Sequence, residues 1–75
     1  MFKKSKIKRE IKRAKRNIVN LEKKRTRSQA ALVDAILTQQ SPDDRDVEYF
    51  NRFTDLIESE RNIMHNLMKE LDNLN

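Results

Sequence analysis

Apolar side chains recur along the second half of the chain at alternating steps of three and four. The series is Phe50, Phe53, Ile57, Glu60, Met64, Leu67, Leu71 and Leu74, with Glu60 its one polar member. That period marks one stripe of an α-helix packed along another helix. The first half repeats it at Ile7, Ile11, Ala14, Ile18, Leu21, Arg25, Ser28, Leu32 and Ala35, where Arg25 and Ser28 are polar. Between the two series lies Gln39-Gln40-Ser41-Pro42-Asp43-Asp44. Ser41 suits an N-cap, Pro42 suits a first helical position that needs no N–H, and Asp44 sits where a capping box places its acid. Asp43, Asp44 and Asp46 also favour the positive end of the helix dipole.

The pattern predicts an all-α fold: an antiparallel two-helix hairpin, coiled-coil-like, occupying residues 1–75 as a single unit. Helix 1 is expected over about 4–39, the turn at about 40–42, helix 2 over about 42–74, and a basic N-terminal arm at 1–10. In an antiparallel pair, facing residues have a constant sum of numbers. A sum of 85 pairs every seam residue with another, from Ala35/Phe50 through Arg25/Glu60 to Ile11/Leu74. This register sets a cation on an anion in the one charged layer and leaves residues 1–10 overhanging helix 2.

Not all the apolar surface is used by this seam. Tyr49, Leu56 and Ile63 form a second stripe beside it, and Val33, Ile36 and Leu37 belong to a run that is apolar nearly all round. These six residues are the expected oligomer interface, and a dimeric four-helix bundle is the simplest assembly that covers them.

Composition narrows the alternatives. The chain has 75 residues, no Cys and no Gly. A disulfide framework and a Gly-rich phosphate loop are therefore excluded, and self-association is the remaining common support for so small a core. The longest apolar runs fall short of a membrane span, and the lack of Cys fits a reducing compartment, so a cytoplasmic protein is expected. An amphipathic basic helix lying on an anionic membrane surface is disfavoured, because the seam already claims Ile7, Ile11 and Ile18.

Charge is divided sharply. Residues 1–27 carry thirteen Lys and Arg against Glu10 and Glu22, a net +11. Residues 28–75 carry four against ten acids, a net −6, and the two halves give the overall +5. On a helix, Lys3, Lys4, Lys6, Lys8, Arg9, Lys12, Arg13, Lys15, Arg16 and Lys23 form a broad basic collar around the stem. Glu58, Glu70 and Asp72 are expected to neutralise part of it. The remainder calls for an external polyanion, such as the phosphates of nucleic acid. No base-reading motif and no interleaved aromatics are present, so binding through the backbone is expected, not base readout.

Enzymatic chemistry finds no support. His65 sits on a flank between Arg61 and Lys69, with Asn62 where a bridging metal site would place Glu. Ser59 is six residues from His65, a poor spacing for a nucleophile and base on one helix. No metal or cofactor is expected. The leading expectation is a small, non-enzymatic, oligomeric binding protein of regulatory or accessory role whose basic stem engages nucleic acid or another polyanion. The alternative is a protein-interaction module or inhibitor, of the phage or mobile-element kind, that grips an acidic partner protein. A further alternative is capture of a small anionic nucleotide between protomers.

Overall fold

The computed structural model describes residues 2–74. Met1, the first residue of the expected arm, and Asn75 lie outside them. Two helices, α1 (Phe2–Leu37) and α2 (Asp44–Asn73), pack along each other in a hairpin 57 Å long and about 15 Å across. The helices persist because nothing within either breaks the ladder: Gly is absent and the one Pro lies in the connection.

The connection differs in detail from the expected turn. α1 ends at Leu37, and Gln39 adopts a left-handed conformation with φ 59°. The Gln39 N–H donates to the Ile36 carbonyl at 3.1 Å and the Gln40 N–H to the Ala35 carbonyl at 2.8 Å. This pair of bonds is the Schellman stop, normally built on Gly. A left-handed non-Gly residue costs about 1–2 kcal/mol, and Gly returns part of that through its freer unfolded chain. Gln39→Gly is therefore expected to stabilise the hairpin by roughly 0.5–1 kcal/mol, read as a rise of a few degrees in thermal midpoint.

The N-cap of α2 is Asp43, not Ser41. Asp43 is extended (φ −66°, ψ 135°) and its carboxylate accepts the Arg45 N–H at 2.9 Å. Its carbonyl accepts the N–H groups of Asp46 and Val47 at 3.0 and 3.2 Å. Asp caps as well as Ser and adds an anion at the dipole's positive end. Pro42 then precedes the cap, where its fixed φ stiffens the approach. Asp43→Ala should cost about 1 kcal/mol and Ser41→Ala less than about 0.5, a contrast that thermal melts resolve.

These caps move the fold-back point toward the N-terminus. Glu22 bonds Arg61, numbers that add to 83, and Ile7 is covered at 4% exposure, so facing numbers add to less than 85, by about half a heptad. The sum of 85 placed the bend about two residues too late, because the stop at Gln39 was not legible as one. The shift is half a heptad, so seam residues still meet seam residues. It separates Arg25 from Glu60: both are half-buried, and no ion pair joins them among the described residues. Arg61 bonds Glu22 instead, at 3.0 Å, on the flank of the seam. Ser28 needs no partner across the seam, since its hydroxyl donates to the Lys24 carbonyl at 3.4 Å.

The core is thin, with its α1 members low in the stem and Ile57 near the middle of the hairpin. Ile7, Ile11, Ala14, Ile18 and Ile57 are buried, with Ile57 at 1% exposure. Ile7 is only 4% exposed. The end of α2 therefore reaches further along α1 than expected, and the overhang shrinks from residues 1–10 to the first turn or so, where Phe2 is 93% exposed.

Candidate nucleic-acid interface

Seam positions fix where every other side chain of α1 can point. Stepping outward from the seam, Lys6, Arg9, Arg13, Arg16, Lys23 and Arg27 fall in one row on the side of α1 turned away from α2. From Lys6 to Arg27 the row runs about 31 Å at the helical rise. Its first turns form a shallow groove lined by Phe2, Lys6, Arg9, Glu10, Arg13 and Arg16. Lys8, Lys12 and Lys15 lie on one shoulder of the row, with Lys12 and Lys15 beside Val19. Lys3 is exposed, while Lys4 falls on the seam line at the overhanging end and is half-buried.

All ten cations singled out from sequence are at the surface, nine of them exposed. Two ion pairs occur among the described residues, Glu48–Arg52 within α2 and Glu22–Arg61 between the helices. Neither involves any of the ten. The neutralisation expected from Glu58, Glu70 and Asp72 does not occur as contact pairs among the described residues. The reason is geometric. Glu58 and Asp72 project from α2 one step beyond the seam flank. The densest basic row projects from the far side of α1. Arg27 belongs to this row and continues it past Lys23; the same off-seam spacing would have found it.

The six apolar residues expected at an oligomer interface are all exposed, from 43% at Leu56 to 77% at Leu37. They do not form one patch. The Glu22–Arg61 bond identifies the flanks of the two helices that share a side of the hairpin. Val33 and Ile36 follow the Glu22 flank, and Leu37 lies behind them on the back of α1. Tyr49, Leu56 and Ile63 occupy the opposite flank of α2 from Arg61, hence the other side. Tyr49 stacks on Phe53, ring centroids 6.3 Å apart, which ties that stripe to the seam.

Among the described residues no group of three His, Cys, Asp or Glu is placed to hold a metal ion, the acidic turn included. No helix of the described residues is long and apolar enough to cross a membrane. Comparison with protein-family models, curated proteins and solved structures finds no match to this chain.

Proposed function

We propose that the protein is a small, non-enzymatic, self-associating binding protein whose basic stem grips the phosphate backbone of nucleic acid, in a regulatory or accessory role. The observation that carries this reading is the collar itself. Ten surface cations crowd one helical stem with no ion pair within 4.0 Å among the described residues. Like charges at helical neighbour spacing destabilise a free helix. A polyanion removes that repulsion and releases its own counterions.

Backbone contacts fit the side chains present. Lys and Arg on a straight, rigid row meet phosphates without reading bases. Arg9, Arg13 and Arg16 add bidentate reach to phosphate oxygens, which Lys lacks. The expected behaviour is binding to generic duplex at low salt with little sequence preference. If six of the stem's cations, Lys12, Arg13, Lys15 and Arg16 among them, each meet a phosphate, the slope of log K against log salt is about −5 for duplex DNA. A salt-titrated mobility shift with unrelated DNA and RNA duplexes measures this. Absence of binding at low salt would overturn the reading, and tight binding to an acidic protein at the same salt would replace it with the interaction-module alternative.

A further inference from the structure

The stripe Tyr49–Leu56–Ile63 and the distribution of charge along the hairpin together fix an orientation. We infer that two copies associate antiparallel through this stripe of α2, with Leu56 on the two-fold axis and a basic stem projecting at each end. The inference rests on the self-association proposed above and deepens it.

Three observations carry it. The hairpin exposes 6313 Å². A compact monomer of its mass exposes about 4,900 Å², and the excess of roughly 1,400 Å² is that of a two-helix rod 57 Å long, whose flanks a second copy can cover.

The stripe is also self-complementary. Its members are seven residues apart, each 43–50% exposed. A two-fold interface must map one patch onto itself. With Leu56 on the axis, Tyr49 of each copy meets Ile63 of the other. The stripe closes at Glu70 on one side and at Pro42 on the other, which confines it to about 21 Å of helix.

Charge then selects the direction. At the open end, residues 2–20 carry nine cations against Glu10, a net +8, and residues 61–74 carry two cations against two acids. Around the turn, residues 28–55 carry two cations against six acids, a net −4. Parallel copies would lay one +8 end beside the other. Antiparallel copies set each acidic turn alongside the lower stem of the second copy, a long-range attraction, with Lys12 and Lys15 on the opposite side of the hairpin from the stripe and open to phosphate. The first eight or so residues of each stem then extend beyond the partner's turn, their tips about 70 Å apart at the helical rise. The dimer presents two anion-binding ends, so one particle can engage two segments of a polyanion.

The absence of Cys makes the test direct. Single variants Tyr49→Cys, Leu56→Cys and Ile63→Cys are oxidised with copper-phenanthroline, one partner carrying a tag to separate products by mass. The expected products are a Leu56→Cys self-dimer and a mixed Tyr49→Cys/Ile63→Cys dimer, with little self-product from Tyr49→Cys or Ile63→Cys alone, since a disulfide needs Cβ atoms about 4 Å apart. Strong self-products at 49 and 63 without the mixed one would overturn the antiparallel arrangement while leaving self-association intact. Multi-angle light scattering separates the two failures, because a monomer at several hundred micromolar removes self-association altogether. Leu56→Lys, which puts two ammonium groups on the axis, should weaken the dimer at least a hundredfold while circular dichroism stays helical. A dimer unaffected by it would move the interface elsewhere.

Discussion

Replacing Lys12, Arg13, Lys15 and Arg16 together with Gln is expected to lower affinity for duplex DNA on the order of a thousandfold at physiological salt and to flatten the salt slope by about 3.6. The estimate follows from counterion release. Each phosphate contact contributes about 0.9 to the slope, and at ~0.15 M salt that is worth about 0.7 decades of affinity per contact. Four lost contacts give nearly three decades. All four side chains are exposed and free of ion pairs among the described residues, so the substitutions remove no folded-state bond. They also relieve like-charge repulsion along α1, and the hairpin should melt no lower than the parent. The measurement is a pair of salt titrations by fluorescence anisotropy beside a thermal melt. An unchanged slope would remove these residues from the interface even if binding itself persisted.

Ile57→Ala is expected to cost about 2–5 kcal/mol, close to the whole stability a chain of this size commands. Ile57 is 1% exposed and is the most enclosed side chain of α2. It sits near the middle of the hairpin, where the seam of α1 carries half-buried Leu21, Arg25 and Ser28. At about 4–8 °C per kcal/mol for a domain of this length, the thermal midpoint falls by 10 °C or more, or cooperative unfolding disappears. Phe2→Ala is the control: at 93% exposure it should move the midpoint by no more than the few tenths of a kcal/mol typical of surface changes. Equal effects at the two positions would mean that the seam does not carry the fold.

Much of this hairpin is written in spacing. The three-four alternation from Ile7 to Ala35 and from Phe50 to Leu74 specifies two amphipathic helices and the stripe each one buries, because a helix repeats its faces at a fixed angle whatever surrounds it. The same rule places the cations off the seam and leaves Tyr49, Leu56 and Ile63 beside it. The surface position of the collar is thus a local property, settled within α1.

What was not legible is what depends on where the chain turns and on how two helices meet. Gln39 stops α1 in a left-handed conformation that its side chain does not advertise. Asp43 outcompetes Ser41 as the cap, although both are chemically suited. Those two choices move the bend by about two residues, which takes Arg25 off Glu60, brings Arg61 to Glu22 and buries Ile7 under the end of α2. A heptad seam cannot distinguish such registers by itself, since seam residues meet seam residues in each. Likewise the sequence determined that six apolar residues lie outside the seam, whereas only the tertiary structure decided that they divide between two sides of the hairpin. The side a flank faces depends on the partner helix running antiparallel, a relation between segments that no single segment contains.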